Sequence, residues 1–290
     1  MGYTFNSLSR ILEQENLFRG KKILTLGTLY PFINQHQTRM LAQRGVFADT
    51  PKERFSNHLF VEVLGATSCH SLDVSDYQKA EIICNLNHPV AQKYVGQYDV
   101  VFDGGTLEHL SNLPTALGNI FSLLRTGGIY YFGGPCNNWV DHGFFQFSPT
   151  FYSDLCLDNP DLELLDLHLS TPQRYYDYAS QNLAFKSALF NARQRLAVGG
   201  IIRKTGDRLN LDLTQSKYRE QHASAASRPG GSTDATGARS VLALRRRATS
   251  AIQWFATTAW IPLCVKEAVL NYLYTFRRRD RDNAPQNTPE

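Results

Sequence analysis

The chain has 290 residues, 42% apolar and 12% aromatic, which suits one large α/β domain with an appendage or two small domains. Its formal charge of +4 is uneven: residues 1–214 carry a net of −2 and residues 215–290 a net of +6, so the main body is no obvious nucleic-acid binder and the basic character lies C-terminally. Five scattered cysteines (Cys69, Cys84, Cys136, Cys156, Cys264) without a C-x-x-C pair argue against a disulfide framework or a zinc site, and for a reducing, cytoplasmic setting.

The first residues form a short amphipathic pattern containing acids, without the basic start and unbroken apolar core of a secretory signal. Residues 4–18 read as a helix with Phe5, Leu8, Ile11, Leu12 and Phe18 as its apolar stripe. Residues 23–27 (ILTLG) read as a first buried strand ending in glycine. Helices are expected around 34–44 and over 55–64, the latter closed by Gly65, with a second strand at 69–73 and a third at 81–85.

Residues 98–132 are the most informative stretch. YDVVF at 98–102 is a short β-branched and aromatic run, as in strands buried on both faces of a parallel sheet. Asp103, Gly104 and Gly105 stop it at the carboxyl edge, where ligands collect in open α/β sheets. A helix is expected over 114–124, with Leu113, Leu117, Ile120, Phe121 and Leu124 at helical spacing, ended by Gly127 and Gly128 before a strand at 129–132. Late strands fit residues 162–169 and 201–214, with a helix near 178–196 between them. Strands alternating with helices predict a doubly wound, mostly parallel Rossmann-like sheet over residues 1–215.

From 216 to 240 the sequence is rich in Ser, Ala, Gly and Thr and reads as a flexible linker. Residues 241–276 read as a helical appendage, with Arg245–Arg247 before its uncharged run and Arg277–Arg279 after it; residues 277–290 read as a disordered tail. Three readings of 241–276 stay open: a helix docked on the domain or on a second copy, a peripheral membrane helix, or a membrane span. The span is disfavoured by Pro262, Lys266 and Glu267, which interrupt the apolar run.

The run YDVVFDGGTLEHLSN followed by LLRTGGIYYF resembles the second half of a class I S-adenosylmethionine (SAM) dependent methyltransferase. HGFFQFSP, at 142–149, is similar to an HGFYQFSP signature of a methyltransferase-like subgroup. The resemblance covers roughly residues 20–215. It implies SAM as cofactor and a small-molecule acceptor, with a glycan or lipid-linked molecule as one option.

Candidate residues follow. A glycine after the first strand lets backbone approach a nucleotide-like ligand. The family's glycine-rich pattern falls on residues 25–31, where Gly27 fits, Thr25 takes the acidic place, and Leu29 and Pro31 take the other glycine places. Asp73, ending the second strand, is the candidate for the ribose hydroxyls. Asn85 takes the place of a family aspartate at the adenine, and Asp103 and Gly104 complete the cofactor edge. His109 is a candidate general base. Glu108 and His109 are adjacent, so on a helix they would point about 100° apart. On the acceptor side, Asp141 and His142 are interleaved with Trp139, Phe144, Phe145 and Phe147, polar groups among rings that exclude water. No metal-ligand spacing is visible. The alternative function is a methyltransferase fold without SAM, acting as a binding or assembly module at a membrane surface.

Overall fold

The computed structural model describes residues 2–47, 49–171, 175–178 and 194–216. The expected linker, appendage and tail (216–240, 241–276 and 277–290) fall outside them except at Ser216, as does most of the expected helix at 178–196.

Strand β1 (Gly2–Thr4) leads into helix α1 (Phe5–Glu13), where the Thr4 hydroxyl caps the Ser7 amide and Leu8, Ile11 and Leu12 are buried. Strand β2 (Lys22–Leu26) follows. The chain then forms strand β3 (Tyr30–Phe32), paired in parallel with β1, before entering helix α2 (Gln35–Ala42) through an Asn34–Gln37 capping box. The expected 55–64 helix divides into helix α3 (Lys52–Asn57) and a wider π-helical segment, His58–Val63.

Strands β4 (Ser68–Asp73), β5 (Ile82–Ile83) and β6 (Tyr98–Asp103) match the expected second, third and fourth strands. Helix α4 (Leu113–Leu123) is capped by the Asn112 side chain, with Pro114 in its first turn. Strand β7 (Leu124–Asn137) starts at once, which corrects the expectation that Gly127 and Gly128 end the helix. Leu124 already pairs with Tyr98, and the two glycines occupy the irregularity before Val100 pairs with Ile129. Gly127 has φ +82°, and a Cβ on Gly128 would meet Arg125 O at 2.9 Å and Asp99 O at 3.0 Å.

Helix α5 (Pro149–Leu157), capped by Ser148, was not expected from sequence. Strand β8 (Leu162–Ser170) was, whereas the short strand β9 (Tyr175–Asp177) was not. Strand β10 spans Leu196–Lys204, which corrects the expected strand at 201–214. Gly199 and Gly200 lie inside β10, which runs between β7 and β8 at close range. A Cβ on Gly200 would sit 2.3 Å from Asp166 O.

The eight-stranded sheet has the order β5-β4-β2-β6-β7-β10-β8-β9. The first five strands pair in parallel; β10 is antiparallel to both β7 and β8, and β9 is antiparallel to β8. Connectivity reverses direction between β2 and β6, the switch point at which open α/β sheets form a crevice.

Alternation along β6 and β7 separates the two faces. Phe102 and Tyr131 stack at 4.9 Å on the face covered by Tyr3, Leu8, Ile11, Phe55 and Phe60. Tyr130 and Phe132 face the other way, toward Phe121 of α4 and Tyr152 of α5, with the Phe132–Tyr152 centroids 3.9 Å apart. The buried Lys204 ammonium bonds to Phe121 O and Leu124 O, a cation at the end of α4 that fixes this helix to the sheet.

Candidate active site

The site is built where β2, β4, β6 and β7 present their carboxyl ends. After β2, Gly27 turns at φ +79° and donates its amide to Leu72 O at 2.7 Å. Thr25, in the place of the family's acid, donates its hydroxyl to Gly27 O at 3.0 Å. Leu29 is fully buried and joins the main core cluster. Its methyls lie 3.0 and 3.2 Å from where a Cβ on Gly104 would stand, so an apolar side chain fills the space between the first turn and the turn after β6.

Asp73 ends β4, half-buried, and its Oδ1 accepts the Val74 amide at 2.6 Å. Asn85 is exposed beyond β5, and its Oδ1 accepts from the Asn87 amide at 3.0 Å. Asp103, ending β6, is 3% exposed. Its Oδ1 accepts the amides of Gly105 and Thr106 at 3.1 and 2.7 Å, and its Oδ2 accepts the Tyr130 hydroxyl at 2.9 Å. Burial pushes this carboxyl above its ordinary value, and the Thr106 amide works against that push. Thr106 also donates its hydroxyl to Leu26 O at 2.8 Å, joining the β6 turn to the end of β2.

Behind Asp103 and Gly104 lies a cavity of about 520 Å³. Its walls include Tyr3, Phe102 and Tyr131 on the ring side, Gly133–Pro135 along β7, and Trp139, His142 and Arg195. The loop after β7 is held by its own bonds. Trp139 donates its ring N–H to Leu196 O at 2.9 Å and its amide to Gln146 Oε1 at 3.1 Å, and the Arg195 guanidinium lies 5.1 Å above its ring. Asp141 is exposed, in a left-handed turn at φ +62°. The carboxylate the fold brings to His142 is that of Glu108, with Oε1 3.4 Å from His142 Nε2.

Glu108 and His109 lie in a short 3-10 turn, Leu107–His109. The expectation that they point apart is corrected: Glu108 Oε1 is 3.8 Å from His109 Nε2, so the two side chains bend toward each other although a 3-10 turn sets successive residues about 120° apart. The His109 and His142 rings meet edge-on at 5.1 Å. Glu108 is 2% exposed; burial, then the neighbouring Asp103, pushes its carboxyl up to about 8. Burial lowers both imidazoles, with His142 adding to the effect on His109.

Tyr3, Arg195 and His168 also line the cavity, and none was singled out from the sequence. Tyr3 lies on β1, His168 on β8 and Arg195 just before β10, strands whose pairings are long-range. The convergence of residues 108 and 109 with residue 142 was hidden too, since no short spacing encodes it.

No family model and no curated protein sequence matches the chain. Among solved structures, the chain is similar to a Burkholderia thailandensis 1,6-didemethyltoxoflavin-N1-methyltransferase with bound 1,6-didemethyltoxoflavin and S-adenosylhomocysteine. There the identity is 16%, the coverage is 70% of this chain and 78% of that one, and the TM-score is 0.42. It is similar also to the [4+2]-cyclase SpnF at 14% identity, with coverage of 69% and 80% and a TM-score of 0.41. A SAM dependent methyltransferase from Aquifex aeolicus shares 11% identity, with coverage of 67% and 88% and a TM-score of 0.39. On its own strand order, five parallel strands with an antiparallel one inserted before the next, the chain has the class I methyltransferase fold.

Proposed function

We propose that the chain transfers a methyl group from SAM to a hydroxyl or amine of a small molecule bound in the cavity beside Asp103. The observation that carries this reading is the position of that cavity. It adjoins the Asp103–Gly104 turn at the carboxyl end of β6, beside the switch point, and is walled by β7; Gly27, Asp73 and Asn85 stand at or beyond the ends of β2, β4 and β5 and do not line it. Asp73 is the residue for the ribose hydroxyls, and Asn85 is the one for the adenine amino group.

SAM supplies an activated methyl on a sulfonium, so the protein's task is chiefly positioning. The acceptor loses its proton as the carbon–oxygen or carbon–nitrogen bond forms. His142, on the cavity wall, is the group we assign to take it; His109 and Asp141 are its supporting candidates. Phe102, Tyr131 and Trp139 are among the rings that line the cavity, and an aromatic wall suits the apolar side of a glycan or lipid-linked acceptor. Peripheral membrane contact or self-association through residues 241–276, and a cytoplasmic location, belong to the same reading. Among the described residues no helix is long and apolar enough to cross a membrane, and Cys69, Cys84, Cys136 and Cys156 are free thiols.

One observation favours a second reading, in which the fold binds or assembles without SAM. Leu29 is fully buried against Gly104. Titration calorimetry with SAM separates the two. The methyltransferase reading expects binding that Asp73→Ala abolishes. An absence of heat with SAM at about 1 mM, where a ligand contributes only about 4 kcal/mol, leaves the second reading in possession.

A further inference from the structure

We propose that Glu108, His109 and His142 form a binding site for a divalent first-row transition-metal ion, with its remaining coordination positions open to the cavity. One ligand atom from each residue lies within 4.8 Å of the others. The two distances from Glu108 Oε1, 3.4 Å to His142 Nε2 and 3.8 Å to His109 Nε2, are close to what an ion imposes. Bonds of about 2.0–2.2 Å hold donors roughly 3–3.5 Å apart. Small rotations of two half-buried rings close the difference.

The arrangement is built rather than incidental. The amides of Phe144 and Phe145 both donate to Glu108 O, at 2.7 and 3.3 Å, and so fasten the His142 loop to the turn that carries the other two donors. Two glycines make room for the carboxylate. A Cβ on Gly105 would stand 2.9 Å from Glu108 Oε1, and one on Gly143 would stand 2.8 Å from Glu108 Cγ. Both glycines also have positive φ, +103° and +70°. The His142 ring is further confined by the Trp139 ring, 5.2 Å away.

The donor set selects the class of ion. Two imidazoles and a carboxylate suit Zn²⁺, Fe²⁺, Mn²⁺ or Co²⁺; Ca²⁺ and Mg²⁺ prefer all-oxygen shells, and Cu⁺ prefers sulfur. Three protein ligands leave at least one position for water or a small oxygen donor, as in exchangeable rather than structural sites. Gly105, Glu108 and His142 all line the cavity, so a hydroxyl or carboxylate of a bound small molecule can reach that position. Metal binding stands without the methyl-transfer reading. Where both hold, His142 serves as a ligand and no longer takes the acceptor's proton; the ion would orient the acceptor oxygen and lower its pKa, and the proton would pass to water.

The test uses the full-length chain, free of any affinity tag and stripped with a chelator. Zn²⁺ is titrated by calorimetry and Co²⁺ by visible absorption. The expected result is one equivalent of each. His109→Ala and His142→Ala, both at half-exposed rings, should each weaken binding by more than the roughly 10–100-fold that losing a supporting partner of a ligand costs. His36→Ala, at an exposed position on α2, should leave it unchanged. Circular dichroism melts of the metal-free variants establish that they are folded, and His142→Asn serves in place of an unfolded His142→Ala. No binding, or binding that the His109 and His142 variants leave intact, overturns the proposal. SAM titrated separately into the same samples tells its failure from that of the methyltransferase reading.

Discussion

Leu29 is the residue on which the cofactor question turns. It occupies a position where the family carries glycine, and its side chain is spent on the core and on Gly104. Leu29→Ala removes buried methyls, and the expected loss of stability is about 2–5 kcal/mol, read from urea unfolding. The same change opens space beside the β6 turn. If SAM lies against that turn, Leu29→Ala binds SAM at least as tightly as the parent chain, despite the lost stability. Weaker binding by the folded variant would mean that Leu29 shapes the ligand site rather than fills it.

At the scale of elements, β10 shows what close packing demands of a sequence. It inserts between β7 and β8, and Gly200 faces Asp166 O at a distance no Cβ tolerates. Gly200→Ala should therefore destabilise the chain by about 1–3 kcal/mol, the usual cost of overpacking, measured by thermal or urea unfolding. An unchanged midpoint would show that β8 moves aside at no cost. Gly199 and Gly200 fall just ahead of residue 201, where the sequence reading began this strand. A local reading treats adjacent glycines as a break, and only the partner strands reveal them as a clearance. By contrast β2, β6 and α4 were legible, because each is a short apolar run or stripe bounded by capping or turn residues. Short β1, β3 and β9 carry no such pattern, since three residues are too few to show a period.

Across the whole molecule, the N-terminal helix is tied to the last part of the sheet by charge. Arg10 of α1 bonds to Asp166 of β8 at 2.6 Å, and the His168 ring meets the same carboxylate oxygen at 2.9 Å. Burial pushes the Asp166 carboxyl up, but His168 and Arg10 outweigh it and hold it below its ordinary value. A carboxylate with a depressed folded-state value adds stability above its unfolded value of about 3.9, and that stability fades as pH falls through the folded value. Urea unfolding between pH ~7 and ~3 should thus show an acid loss that Asp166→Asn reduces. The variant should be less stable at neutral pH by about 1.5–3 kcal/mol, the range for hydrogen bonds to charged groups. Parallel acid limbs in parent and variant would remove Asp166 from the explanation.

The sequence by itself determined the fold class, the carboxyl-edge position of Gly27, Asp73 and Asp103, and the cavity-side loop that carries His142. Each of these depends on local order: apolar runs set strands, and the residue after a parallel strand must emerge at one edge. Tertiary structure alone decided that Leu29 turns inward, that β10 needs its glycines, and that Glu108 and His109 meet His142. Those outcomes are set by which backbones approach one another across long stretches of chain, and no spacing along the sequence measures that distance.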